Sequence, residues 1–436
     1  MNSLIRYTLR RVATTRPRLR RQVRSAFSQA SSGDEVIRDS IEKYLVARAL
    51  LWASETPYAG RKGAPRAIWD WPVLTKDQLR SDPGAWHRQG VLAEEAHTSG
   101  TTGQPLKLRR SVFSAVAEAE MLAFVLRAGG VESRTPRMLL LRPQPVVPRG
   151  RTRPPFGVRV PGNTWVLSPI HLAEEYLSWY MQLIDRFQPD VMVIHTGLLR
   201  MLLGGLEALD ARSVRIPVLL TSSEVLDDEL RRRAAAFFGG RVVDLYGQSE
   251  RAAAAFSVDQ GEYRFVPGYA HVELEPVSIG GEQRFARVIG TPLWNPAMPL
   301  VRCEVGDVIE LNRPAESEQY LVAVASGRLT FKGILGRESE YLLTENGERV
   351  IGLSLVPRGV PGVERVQFVQ EREGAVRILV EVADALDDGM KRMLGTNLQA
   401  ISPARLDIEV EQANELRVTQ SGKTPLVVRD ETGREA

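Results

Sequence analysis

The sequence predicts an α/β fold, with a large N-terminal part and a small α+β part at the C-terminus, and three observations carry that prediction. From Met138 to Leu245 short apolar runs alternate with segments of helical period, the pattern of a sheet flanked by helices with ligand sites at its strand ends. From residue 263 to 331 the pattern turns mostly β. The C-terminal stretch carries a hairpin signal, then a helix and a strand. A chain of 436 residues also exceeds what one ordinary core holds, so at least two domains are expected.

In order, residues 1 to about 90 read as helices and loops ending in Trp71-Pro72-Val73-Leu74-Thr75-Lys76. A polar Gly/Thr-rich stretch follows, then a helix capped by Ser111 and stopped by Gly129-Gly130. Met138–Leu141 reads as a strand, and the Arg/Pro/Gly-rich residues 142–162 as an irregular loop. Helices are expected over Glu174–Phe187, Leu198–Leu209 and Asp227–Phe238, with buried strands over Val191–Ile194, Pro217–Thr221 and Val242–Leu245. Short strands are expected around Ala270–Leu274, Ala286–Ile289 and Val308–Leu311. Val366–Val369 and Val376–Val382 flank a turn, Asp387–Leu398 is a helix and Leu406–Val410 a strand. The domain boundary is placed near Gly336-Arg337.

Composition narrows the class. Hydrophobic residues are 43% and charged residues 25%, as in a folded soluble protein. The single cysteine, Cys303, excludes a disulfide framework and a multi-thiolate zinc site, and points to a reducing, cytoplasmic setting. No apolar run approaches the roughly 18 residues of a membrane span. The stretch from Arg6 to Arg24 is basic without an acid; a solvated amphipathic helix is the simpler reading, contact with an anionic surface the alternative. The net charge is only +4 and no aromatic-interleaved basic stripe exists, so nucleic acid is not an expected partner.

Five stretches carry chemistry. Ser99-Gly100-Thr101-Thr102-Gly103 offers hydroxyls and close-approaching backbone N–H groups suited to phosphates, although it lacks the Walker pattern and taken alone is equally a polar turn. Tyr246-Gly247-Gln248-Ser249-Glu250 follows a strand; the ring suits a base and the carboxylate suits Mg²⁺, against the plainer reading of an edge tyrosine and a solvated glutamate. Gly306-Asp307 reads as a turn whose carboxylate can accept two ribose hydroxyls. Gly336-Arg337 is the fourth stretch. Ser421-Gly422-Lys423 is the fifth, on a terminal loop where a cation is ordinarily just solvated.

Their order is more specific than any single piece. Thr-Ser-Gly-Thr-Thr-Gly, Tyr-Gly-x-Ser-Glu, Met-Pro-Leu-x-Arg with Gly-Asp, Gly-Arg and Gly-Lys occur in succession. The chain thereby resembles the adenylate-forming superfamily of acyl-CoA ligases and adenylation domains, and more narrowly the phenylacetate–CoA ligase and capsule-biosynthesis-like branch. Pro72 to Lys76, Gln188-Pro189-Asp190 and Val366 to Gln370 support that branch. The resemblance implies a multi-subdomain AMP-binding domain over residues 1–335, with the ATP and acid sites, and a mobile lid over 336–436. It implies ATP-dependent activation of a small-molecule carboxylic acid as an acyl-adenylate, then transfer to coenzyme A or a carrier-protein pantetheine. The alternatives are adenylyl transfer to a hydroxyl and a non-catalytic nucleotide-binding relative. A carrier protein and a second copy of the chain are partners it leaves open.

By the same resemblance, Ser99 to Gly103 hold the β- and γ-phosphates, and Ser223-Glu224 with Tyr246 and Gly247 border adenine. Ser249 meets the α-phosphate, Glu250 binds Mg²⁺ and Asp307 holds the ribose. Arg337 meets ribose and phosphate, and Lys423 bridges the carboxylate and the α-phosphate, entering the site for adenylation and leaving it for thiol transfer. Lysine supplies only 7 of the 57 basic residues, which makes this one less easily incidental. His195, Gly197 and Ser222 are expected in the acid pocket, though a lone histidine at a strand end is more often simply packed. Departures from the pattern are Ser339 for a hinge aspartate, Cys303 for a tyrosine and Ser223 for a glycine on the adenine side.

Overall fold

The computed structural model describes residues 16–97, 106–143, 146–259, 261–382, 385–413, 415–417 and 424–429. The chain forms two compact units. One comprises Met1–Glu273, Ile289–Val305 and Val322–Thr330; the other comprises Leu274–Val288, Gly306–Leu321 and Phe331–Ala436.

In the first unit β1 (Ala93–His97) and β2 (Lys107–Ser111) form an antiparallel pair. The main sheet then gathers β3 (Met138–Leu141), β4 (Gly157–Val160), β5 (Thr164–Leu167), β6 (Val191–His195), β7 (Val218–Ser222), β8 (Arg241–Gly247), β9 (Ala254–Val258) and β10 (Arg264–Phe265). Their spatial order is β10-β9-β8-β7-β6-β3-β5-β4. Strands β5, β3, β6, β7 and β8 run parallel, and the remaining three pair antiparallel at the edges. The continuous apolar runs of β6 and β7 follow from burial on both faces of a parallel sheet. One face packs on Val116, Met121 and Val125 of the helix Val112–Ala128, the other on Leu199, Leu202 and Leu230 of the helices Thr196–Ala208 and Asp228–Phe238.

The helix Val112–Ala128 starts where Ser111 accepts a hydrogen bond from the Ser114 amide, and ends at Gly129-Gly130 with Gly130 at φ 97°. Two expectations are corrected here. Residues 142–162 are not wholly irregular, because Gly157–Val160 pairs with β5. The stretch read as mostly β contains the helix Glu318–Ala325.

The helix Pro17–Ala30 buries Val23, Ala26 and Phe27. Its basic face is not merely solvated. Arg20 and Arg24 both donate to Glu120, which is 1% exposed, with Arg24 Nε at 2.9 Å from Oε2. Burial alone would raise the Glu120 carboxyl, but the bonds from Arg24 and Arg20 outweigh it and hold the group below its ordinary value.

The second unit holds most of the sheet β11 (Ala270–Ile279), β12 (Glu282–Pro292), β13 (Cys303–Glu310) and β14 (Gly333–Arg337), in that order. A boundary at residue 336 falls within β14. Farther on come the short pair β15 (Leu342–Leu343) and β16 (Arg349–Val350), then β17 (Val363–Arg372), β18 (Ala375–Val382), β19 (Asp407–Gln412) and β20 (Val427–Arg429). The last four form a sheet ordered β19-β18-β17-β20. The hairpin β17–β18 and the helix Asp388–Ile401 share a core of Phe368, Ile378, Val380, Leu394 and Leu398. No helix among the described residues is long and apolar enough to cross a membrane.

Candidate active site

Strand register assembles the first group of residues. His195 on β6 lies opposite Ser222 on β7, and Ser222 opposite Leu245 on β8. The carboxyl ends of three parallel strands therefore present His195, Ser222 and Tyr246 along one edge, where open α/β sheets bind ligands. Ser223 and Glu224 leave that edge from β7. His195 Nε2 is 3.4 Å from Ser223 Oγ, and Thr196 Oγ1 donates to the Glu224 carbonyl at 3.2 Å. Gly197 makes room for the Glu224 carboxylate, since a Cβ there would meet Glu224 Oε2 at 2.9 Å.

Ser223 has φ 82°, a left-handed conformation that glycine adopts freely and serine does not. The departure noted in the sequence thus falls on a strained residue. Ser223→Gly is expected to raise unfolding stability by about 1 kcal/mol, once the extra freedom of glycine in the unfolded chain is deducted. The denaturant midpoint measures it; a lowered midpoint would mean that the Ser223 hydroxyl outweighs the strain.

The turn after β8 is clamped from outside. Arg110 Nη2 donates to the Ser249 carbonyl at 2.6 Å. Arg251, at φ 59°, donates to Ser114 Oγ at 2.6 Å and pairs with Glu118 at 3.2 Å. Tyr269 also donates to Glu118; burial would raise that carboxyl, but Arg251 and Tyr269 hold it down. Within the turn, the Arg251 amide donates to the Gln248 carbonyl and the Ala253 amide to Gln248 Oε1, each at 3.1 Å. Gly290 passes so close behind that a Cβ would lie 1.9 Å from the Ala252 oxygen. Asn295 secures β2: its amide donates to the Arg109 carbonyl at 2.8 Å and accepts from the Ser111 amide at 3.1 Å. Ser249 and Glu250 are therefore tied to the strand and helix that begin just after residues 98–105.

Glu250 is 7% exposed and forms no ion pair among the described residues. Its charge reaches Cys303, whose thiol is pushed up by burial first and by Glu250 next. No cluster of three metal-ligating side chains exists among the described residues. A magnesium ion held against substrate phosphates takes only one or two carboxylates, so a lone buried carboxylate fits that donor set. Beneath the strand edge, Asp244 accepts from Thr221 Oγ1 at 2.5 Å and from Tyr263, and burial pushes its carboxyl up.

The second unit brings together the other two described candidates. Asp307 on β13 is paired in register with Arg337 on β14, and Arg337 Nε is 3.9 Å from Asp307 Oδ1. Gly306 at φ 73° and Gly336 at φ 105° lie within β13 and β14, so the reading of Gly306-Asp307 as a turn is corrected: both residues continue the strand, where pairing with β14 holds Asp307. Glu338, beside Arg337, is gripped by Arg287 at 2.6 Å. Ser99, Gly100, Thr101, Thr102, Gly103 and Lys423 lie outside the described residues.

Residues 55–316 match the AMP-binding enzyme family. This chain belongs to that family. As an AMP-binding enzyme it is 22% identical to Protein CapK of Staphylococcus aureus over 381 residues, which cover 85% of this chain and 82% of CapK. Its fold is similar to that of 2-hydroxyisobutyryl-CoA ligase in the postadenylation state in complex with 2-HIB-AMP, with a TM-score of 0.63 and 14% identity over 92% of each chain. The open conformation of that ligase, in complex with 2-HIB-AMP and CoA, gives a TM-score of 0.55 and 16% identity over 92% of this chain and 93% of the ligase. At such identities the likeness is one of fold: a large N-terminal α/β part followed by a smaller C-terminal one.

Sequence reasoning missed Arg110, Glu118, Arg251 and Asn295. Arg251 adjoins Glu250, and Asn295 stands three residues before Met298-Pro299-Leu300, but the partners that give them meaning are remote in sequence.

Proposed function

We propose that this AMP-binding enzyme activates a small-molecule carboxylic acid as its acyl-adenylate and passes the acyl group to a thiol of coenzyme A or a carrier pantetheine. The observation that carries the reading is the clamped Tyr246–Glu250 turn at the carboxyl ends of the parallel strands. The ligase of similar fold solved with 2-HIB-AMP and with CoA supports the same sequence of products. The narrower phenylacetate–CoA ligase-like assignment rests on the motif order.

The assigned residues divide the work. Tyr246, Gly247, Ser223 and Glu224 border adenine, Asp307 and Arg337 take the ribose and phosphate, and Ser99 to Gly103 cradle the β- and γ-phosphates. Ser249 donates to the α-phosphate. His195, Gly197 and Ser222 line the acid pocket. Glu250 holds magnesium, whose chemistry is to neutralise charge on the phosphates. In the first half-reaction a carboxylate oxygen attacks the α-phosphorus, and the bond to the bridging oxygen breaks to release pyrophosphate. Lys423 offsets the negative charge that gathers as the two anions meet. In the second, the thiol sulfur bonds to the acyl carbon, its proton is lost and AMP departs. The piece from Gly336 onward, with Lys423, acts as the lid.

ATP–pyrophosphate exchange across a panel of aryl, fatty and amino acids tests the reading, followed by mass analysis with coenzyme A. Acid-dependent exchange and free AMP with a thioester are expected. AMP retained in the product would replace it with adenylyl transfer, and no exchange with any acid would remove it. Glu250→Gln is expected to lower exchange about 100-fold with little change in thermal stability, because a neutral amide is a poor ligand for a hard cation. Full activity of that variant at low Mg²⁺ would exclude Glu250 from the site.

A further inference from the structure

Three neighbouring strands change character together at their carboxyl ends. Leu140 on β3 is in register with Val193 on β6, and Val193 with Leu220 on β7. All three belong to the core that includes Val116, Met121 and Val125 of the helix Val112–Ala128, whereas Leu139, Leu141, Met192, Ile194 and Leu219 pack on the opposite face. Side chains alternate between faces along a strand. The next row on the helix face, two residues on, is therefore Arg142, which directly follows β3, His195 and Ser222. A guanidinium, an imidazole and a hydroxyl stand side by side where leucine and valine stand one row below.

A second observation places the Arg142 charge on that face independently of the alternation. Glu118 lies on the helix Val112–Ala128, with its side chain 41% exposed. Burial pushes its carboxyl up, and Arg251, Tyr269, Arg110 and Arg142 together hold it below its ordinary value. The field of Arg142 thus reaches the helix that covers the row. Tyr269 already donates to that carboxylate and Arg251 pairs with it at 3.2 Å. Three guanidiniums act on one carboxylate, so the charge on this face is positive, and Arg142 is itself exposed at the strand edge.

We propose that the acid this enzyme activates carries a second anionic group, a carboxylate above all, and that Arg142 beside His195 selects it. This rests on the reading above, in which His195 and Ser222 line the acid pocket. The chemistry of the row disfavours an apolar acid. A fatty or plain aryl group packed there would strip water from a guanidinium and an imidazole without supplying a hydrogen bond. A second carboxylate supplies a charge-assisted one, bidentate to arginine. The row also bounds the size of the acid. Arg142 and Ser222 are two strand spacings apart, about 10 Å, and Ser222 lies opposite Leu245, next to Tyr246. With the reacting carboxylate at the Tyr246–Glu250 turn, a short chain or a single ring joins the two acid groups.

The test compares matched acids, butyrate against succinate and benzoate against isophthalate. They are compared in ATP–pyrophosphate exchange and by calorimetric titration into the full chain saturated with α,β-methylene-ATP. Succinate and isophthalate are expected to exceed their partners in kcat/KM by about 10- to 100-fold, with the same order in the titration. Arg142→Met is expected to bring each ratio down to about one, through KM for the dicarboxylate and with KM for ATP unchanged, and Arg142→Lys to restore part of the preference. Equal use and equal binding of the paired acids by the wild-type protein would overturn the inference, whether or not the variants fold. A preference that survives in Arg142→Met would overturn the role of Arg142. A rise in KM for ATP alone would do the same, by assigning the guanidinium to the phosphates. The titration needs no turnover and so separates this inference from the reading beneath it. Absence of exchange with every acid would remove acid activation, while dicarboxylate binding that depends on Arg142 would leave the selecting site in place.

Discussion

Lys423→Ala is expected to reduce acid-dependent pyrophosphate exchange by about 100- to 1000-fold, while a supplied acyl-adenylate is still converted to thioester at close to the wild-type rate. The asymmetry follows from where charge develops. Attack of a carboxylate on the α-phosphate brings two anions together, and an ammonium bridging them in a partly dehydrated site stabilises that transition state by a few kcal/mol. Thiol attack on the acyl carbon develops no such pairing. Single-turnover measurement of each half-reaction separates the two. Equal losses would indicate a general binding or folding defect, and no loss in either would place the catalytic cation on another residue.

The second large effect concerns stability. Arg20→Ala/Arg24→Ala is expected to destabilise the fold by about 3 kcal/mol at neutral pH, because it leaves Glu120 buried and uncompensated while partial exposure of the two guanidiniums tempers the loss. The pH dependence has a definite sign. In the wild-type protein the Glu120 carboxyl sits below its ordinary value of 4.5, so its contribution is present above that pH and is lost on acidification. In the variant, burial without a cation raises the same carboxyl, and protonation relieves it. The stability gap between the two proteins should therefore be widest near neutrality and close in acid. Denaturant unfolding at a series of pH values measures this. A gap that widens in acid would contradict the assignment of the pair.

Much of this was legible in the sequence for a simple reason. The runs Val191–Ile194, Pro217–Thr221 and Val242–Leu245 are short, apolar and bounded by polar or small residues, and burial on both faces of a parallel sheet allows little else. Once those strands are neighbours, the residues at their carboxyl ends must meet, which is how His195, Ser222 and Tyr246 come to share an edge. The clamp around Glu250 was not legible in the same way. Arg110 and Ser249 are 139 positions apart, and Arg251 is one of many arginines until Ser114 and Glu118 are beside it. The Arg20–Glu120 pairing hid behind a basic segment that read as a solvated face. Gly157–Val160 was obscured because its pattern, Gly-Val-Arg-Val, lies among prolines and arginines. The helix Glu318–Ala325 was missed because its run Tyr-Leu-Val-Ala-Val has strand-like composition, a weak preference that local context overrides.

Cys303 is the single thiol of the chain, fully buried, with its proton held firmly by that burial. In the native protein an alkylating reagent therefore finds almost no thiolate to attack. Two practical properties follow. A cysteine introduced on the surface would take a fluorophore or spin label against a silent background, so distances across the catalytic cycle become measurable without first removing a native residue. The native thiol also serves as a timer: it should react only when β13 separates from Leu74, its bridge partner. The labelling rate then reports how often the region beside Glu250 opens, and its slowing by a nucleotide would read occupancy with no assay of turnover at all.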